Sequence, residues 1–254
     1  MLSPDWPYAR VVLVVALVAL VIALVVRAVS KDRTEYQRFK RFERTRNRQR
    51  MMRRWLITSF AFFGGSAALL LLLAWRYVGL LLSAVDSTPP GRWFGALVAG
   101  NGFIPGLALG VAIALVLGTF VAVFLARRSP DVPTIGDIGA LLPRNRPELF
   151  YGFSLSINAG VVEELLFRLA VPAVAFGATG SVLAAVIGSV VLFGALHVYQ
   201  GLPGVLGATL IGAFLMLLYL CTGSIVVPIV AHALIDLRSL VVIPMLVYGV
   251  QRVR

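Results

Sequence analysis

Glu163, Glu164, Arg168, His197, His232 and Asp236 are ionisable residues embedded in stretches that are otherwise apolar. Two histidines and a glutamate can activate a water for attack on a carbonyl and then hold the oxyanion that results. The same trio could instead bind a zinc ion, and residue types alone leave that choice open. Both histidines of the chain and three of its eleven acidic residues belong to this set.

On helices, the spacings sort these groups into faces. Glu164 and Arg168 stand four apart, acid first, which is the favourable order for an ion pair along one face. Glu163 points about 100° away and has Phe167 four residues on in place of a cation, which suits a general base better than a salt-bridge partner. His232 and Asp236 repeat the four-residue spacing, and His197 closes its apolar run by itself. Three segments thus present a Glu, a His, and a His with an Asp. Taken singly, each histidine reads as a hydrogen-bonded packing residue and the Glu164–Arg168 pair as a helix tie. Together, on consecutive apolar segments, they read as one site. Arg238 snorkels to an interface or pairs with Asp236 and is assigned no role.

The elements that must carry these groups follow from composition. The 254 residues are 59% hydrophobic and 13% charged, with a mean hydropathy of +0.92. That is a polytopic membrane chain, and its long continuous apolar runs without period-two alternation select helices over a barrel. The expected class is all-α, a membrane helical bundle of about seven transmembrane helices. Burying a charge at mid-membrane costs about 2.5 to 3.5 kcal/mol on the insertion scale, so the six groups should face the bundle interior and meet one another.

The runs are Val11 to Val26, Trp55 to about Ala74 with a continuation toward Val85, Phe103 to Ala126, and then 149 to 176, 180 to 199, 203 to 222 and 224 to 250. Pro172 is expected to bend or end the fourth. DSTPPGRW (86–93) reads as a loop, residues 127 to 148 as an irregular connection, and FGATG, YQGLPG and TGS as tight Gly-rich turns between antiparallel neighbours. The chain divides into 1–54, an N-terminal anchor with a basic juxtamembrane segment, and 55–254, the bundle, with its chemistry at about 148–245.

The net charge of +12 is concentrated between Arg27 and Arg54, directly after the first run. This placement marks the cytoplasmic side and draws anionic lipid headgroups; it does not call for nucleic acid. The first run has Asp5 before it and its cations behind, so it reads as a retained anchor and not a cleaved signal peptide. Tyr36, Phe39, Phe42, Met51 and Met52 give residues 27–54 a weak apolar stripe. That fits either a helix at the headgroups or an extension of the first span. A multi-pass protein of the cell membrane is expected, with its site toward the cytoplasm. The single cysteine, Cys221, excludes an intrachain disulfide.

Glu163-Glu164-Leu-Leu-Phe-Arg168, Phe193-Gly-Ala-Leu-His197 and His232-Ala-Leu-Ile-Asp236 resemble, in order and spacing, the EExxxR, FxxxH and HxxxN/D motifs of the CPBP (CAAX prenyl protease and bacteriocin-processing, Abi) membrane proteases. The resemblance spans about residues 148 to 245. It implies an intramembrane endopeptidase acting on a membrane-associated protein or peptide. Glu163 and His197 would activate the water, His232 and Asp236 would stabilise the oxyanion, and Glu164 and Arg168 would support the site. It also leaves open a divalent metal such as zinc, held by Glu163, His197 and His232. The rival classes are a proton-coupled transporter, since membrane carboxylates and histidines also build proton relays, and an idle family member that binds partner membrane proteins. The absence of half-to-half repetition weighs against the first, and intact groups in all three motifs weigh against the second.

Overall fold

A computed structural model describes residues 1–100, 102–126 and 136–253, the side chains of 31–33 excepted. Among these residues the secondary structure is helical, with no strand. The helices are α1 (Ala9–Ser30), α2 (Gln37–Lys40), α3 (Thr45–Ser59), α4 (Gly65–Asp86), α5 (Pro89–Val98), α6 (Phe103–Ala126), α7 (Arg146–Glu164), α8 (Val171–Thr179), α9 (Val182–Ala195), α10 (Gly201–Thr222), α11 (Val226–Leu237) and α12 (Ile243–Tyr248). Several are joined without a break by short π-helical stretches, so that α1 runs on to Lys40 and α3 runs into α4.

Among the described residues, five continuous helices are long and apolar enough to cross a membrane: Ala9–Lys40, Thr45–Asp86, Phe103–Ala126, Val198–Thr222 and Val226–Tyr248. The two other expected spans are also helical but differ in kind. Residues 146–179 carry the charges of the site, and Val182–Ala195 is shorter. Outward-facing Leu72, Val116, Phe120 and Leu210 are largely exposed, as lipid-facing side chains of a membrane bundle must be.

One expectation about a connection is corrected. Thr88 caps a helix where a loop was read: its hydroxyl accepts the Gly91 N–H at 3.1 Å, and Pro89 and Pro90 are compatible with the first helical turn. The segment after Arg27 continues helical through Lys40 before turning back at Arg41–Arg44. The predicted loop at 127–148 lies partly outside the described residues; its described part holds one 3₁₀ turn, Gly139–Leu141, and α7 begins at Arg146. The Gly-rich turns stand as read, with Gly180 and Gly223 in the left-handed conformation that ends α8 and α10.

The core lies where α1, α4, α8 and α9 meet, with Leu13, Leu24, Leu70, Val174 and Phe193 all buried. Gly177 lets α8 approach α1 and α4, since a Cβ there would sit 2.4 Å from Leu13 and 2.8 Å from Tyr77. Arg10 donates to the carbonyl of Ala178 at 2.8 Å, tying the start of α1 to the end of α8.

Candidate active site

Two close helix approaches bring the polar groups together. Gly160 abuts α11: a Cβ there would lie 3.0 Å from the Cβ and the backbone nitrogen of Ala233. One turn further along α7, Glu164 therefore faces His232. On α9, Gly194 abuts α10, where an added Cβ would meet the Thr209 hydroxyl at 1.9 Å, and its neighbour Phe193 packs over Gly212.

Glu164 is completely buried and divides its two oxygens. Oε1 accepts the Nδ1–H of His232 at 2.7 Å. Oε2 lies 2.9 Å from Nε of Arg168, a charge contact whose N–H is not aimed at the oxygen, so neither atom completes a hydrogen bond. Arg168, also buried, donates through Nη2 to the carbonyl of Gly212 at 3.3 Å and sets its guanidinium 4.6 Å over the ring of Phe193. The expected pair along one helix face is present, and it is part of a larger unit. The bond from Glu164 to His232 joins the first motif to the third.

A stretch of π-helix, Leu165–Ala170, carries Arg168 and delivers the chain to Pro172 in the first turn of α8. Proline cannot donate to the carbonyl four residues back, and the wider π-turn absorbs that missing bond without ending the helix. Arg238–Val242 followed by Pro244 repeats the arrangement beyond α11. Pro172 thus leaves the helix unbroken, with its hydrogen-bonding register widened, where a bend or an end was expected.

His232 Nε2 stands 3.7 Å from Asp236 Oδ2, beyond hydrogen-bond reach. Phe193 lies edge-on to His232, with centroids 6.1 Å apart, and tilted against His197 at 5.0 Å. The two histidines therefore flank one phenyl ring. His197 Nδ1 is 2.9 Å from the carbonyl of Phe193. A carbonyl can only accept, so Nδ1 carries the hydrogen and Nε2 keeps its lone pair. Glu163 is half-buried at the end of α7, with its charge in electrostatic range of Arg168, His232 and Asp236. The sequence left Glu163 without a cation on its own helix, yet both it and His197 are engaged groups in the fold. Among the described residues no three His, Cys, Asp or Glu side chains are gathered to hold a metal ion.

Arg238, given no role by the sequence, donates from Nε to the Thr119 hydroxyl at 2.9 Å and tethers α6. Sequence reasoning also missed Arg48 and Glu148, a fully buried pair outside the motifs. The i, i+4, i+7 spacing of Arg48, Met52 and Trp55, which puts them on one face of α3, is the signal that marks Arg48 as inward-facing.

Residues 145–238 match the family model described as Rce1-like, type II CAAX prenyl endopeptidase. This stretch is similar to the CPBP membrane proteases whose motifs it resembles. All six motif residues, Glu163 to Asp236, fall within it. Curated proteins and solved structures return no match to the chain. The CPBP family is one of peptidases, which are hydrolases, and CAAX-type proteolysis at a membrane is the activity it supports.

Proposed function

We propose that Glu163 and His197 activate a water, that His232 and Asp236 stabilise the tetrahedral intermediate, and that Glu164 with Arg168 holds His232 for that task. The observation supporting this reading is the 2.7 Å bond from His232 to the buried Glu164, which fixes the proton on Nδ1 and leaves Nε2 to face outward toward Asp236. Glu163 takes one proton from the water, whose other O–H donates to Nε2 of His197. The water oxygen attacks the peptide carbonyl carbon, and the carbonyl electron pair moves to its oxygen. A doubly protonated His232 donates a hydrogen bond from Nε2–H to that oxyanion and keeps its proton, while Glu164 and Asp236 balance the ring charge. The proton held by Glu163 then passes to the amide nitrogen as the C–N bond breaks, releasing an amine and a carboxylic acid.

The proposed substrate is a membrane-associated peptide or protein with a CAAX-type tail. By the positive-inside rule the site opens toward the cytoplasm of the cell membrane. A cavity of about 250 Å3 at the α2–α3 elbow, lined by Arg38, Asn47, Arg50 and Arg54, supports the reading that anionic headgroups gather there. Lipid copurified with Arg50→Gln/Arg54→Gln should be depleted of anionic species by mass spectrometry, and an unchanged lipid profile would remove that part.

The decisive assay uses the full chain in liposomes with a prenylated, fluorogenic peptide ending in a CAAX sequence. Glu163→Gln and His197→Ala should each lose about 10² to 10⁴ in turnover while still inserting, and wild-type cleavage by both would end the assignment. Substrates retained by Glu163→Gln can be identified by mass spectrometry. Incubation with 1,10-phenanthroline should leave cleavage intact; loss restored by zinc would favour a metal-dependent reaction.

A further inference from the structure

We infer that Tyr199 and Tyr36 are positioning residues for His197, so that the N-terminal helical segment, which lies outside the matched family stretch, completes the peptidase site. The inference rests on the proposed role of His197 and extends it to residues no motif contains.

His197 sits beyond the end of α9, with φ −93° and ψ 15°, as the residue before a single 3₁₀ turn, Val198–Gln200. A side chain on so short a turn is not fixed by helix geometry. Its Nδ1–H bond to Phe193 holds one edge of the ring, and Tyr199 covers its face, nearly parallel at 27° and 6.1 Å between centroids. Tyr199 in turn meets the edge of Tyr36 at 5.3 Å and 70°.

Tyr36 is completely buried, and it comes from the π-helical stretch that extends α1. Its hydroxyl donates to the carbonyl of Asp137. The Asp137 N–H donates to the carbonyl of Gln200 at 2.8 Å, and Gln200 Nε2 donates to the Tyr199 hydroxyl at 2.8 Å. The four residues therefore close a ring of contacts around the turn that bears His197. Lys40 reinforces it from outside, ion-paired with Asp137 and 5.0 Å over the Tyr36 ring. Gly136 permits the approach. Its φ is +82°, and a Cβ there would fall 2.8 Å from the Gln200 carbonyl oxygen. Backbone meets backbone at that point, so the turn has little room to shift.

The chain has two histidines, so imidazole ¹⁵N spectra of the full protein in nanodiscs give two ring signatures, assigned with His197→Gln. Tyr199→Ala should move the His197 signature away from its fixed Nδ1–H tautomer. It should also lower kcat by up to about 100-fold, as small misplacements of catalytic groups do, with KM little changed. Tyr36→Ala should act in the same direction with a smaller effect, and Tyr199→Phe, which keeps the ring, should restore both readouts. Phe176→Ala, a packing change elsewhere in the bundle, should move neither. If Tyr199→Ala does not fold, Tyr199→Leu supplies comparable bulk without an aromatic face and carries the same expectation. An unchanged His197 signature in the Tyr199 and Tyr36 variants overturns the inference, as does wild-type kcat in both while His197→Ala is inactive. Activity retained in His197→Ala would instead overturn the peptidase role of His197, and the ring signature alone would then decide whether the tyrosines position it.

Discussion

Two arginine–carboxylate pairs lie fully buried in this bundle, and they are built differently. Arg48 sets Nε 3.0 and 3.1 Å from the two oxygens of Glu148 and donates from Nη2 to the carbonyls of Ala140 and Leu142. Glu148 also accepts the Arg144 N–H at 3.0 Å. Only Nη1 of that arginine lacks a hydrogen-bond partner. Arg168 and Glu164 touch at 2.9 Å without an aligned hydrogen bond, and the second oxygen of Glu164 is committed to a histidine. The first pair is nearly saturated and joins α3, the 140–142 turn and α7. The second is under-bonded and coupled to a group that can change charge. A saturated buried pair fixes a structure, whereas an under-bonded pair beside an imidazole leaves bonding capacity for a reaction.

The sharpest way to break this contrast is to replace each pair with apolar residues of similar size. Arg168→Met/Glu164→Leu should abolish peptide cleavage, because His232 loses the acceptor that sets its tautomer. Arg48→Met/Glu148→Leu should keep cleavage per folded molecule near wild type, since apolar replacements of whole buried pairs are often tolerated. Equal activity of the two double variants would erase the distinction. Single truncations come next in size: Arg48→Ala strands Glu148 and should cost about 3 to 5 kcal/mol of stability, read by thermal unfolding in detergent, with catalysis in the surviving folded fraction unchanged. Gly160→Ala should cost about 1 to 3 kcal/mol through overpacking and also lower kcat, because it pushes Glu164 from His232; an activity loss no greater than the stability loss predicts would argue against that coupling. The smallest effect is expected from Asp236→Asn. If Asp236 supports the charged ring of His232, the alkaline limb of the kcat profile should move to lower pH, and an unaltered profile would remove Asp236 from that role.

The span Phe103–Ala126 has the bounds its apolar run and the Arg127 that follows predict, because lipid-facing helices announce themselves by composition. The Glu164–Arg168 pair was legible for a similar reason, as four-residue spacing survives the π-turn. The link from Glu164 to His232 was not. It depends on Gly160 meeting Ala233 across two helices, and in a single sequence such a glycine resembles every other glycine in an apolar run. His232 was accordingly matched with Asp236, its neighbour in sequence, although the cross-helix contact is the shorter one. Arg48 was hidden differently, among many arginines that suffice to explain a cytoplasmic flank. The apolar stripe beside it was visible, and Tyr36, Phe39, Met51 and Met52 do form a buried cluster with Trp55. What the stripe packs against could not be read, because the 136–142 and 198–200 turns have no periodicity to betray their contacts.

The π-helical stretch at Leu165–Ala170 makes the first motif sensitive to helix register. A π-turn takes up one residue more than an α-turn, so if the same residues wound as ordinary α-helix, Glu163 and Glu164 would swing by about 100° relative to α8. Both acids would then point away from α11, in a protein whose composition, hydropathy and motif residues were otherwise unaltered.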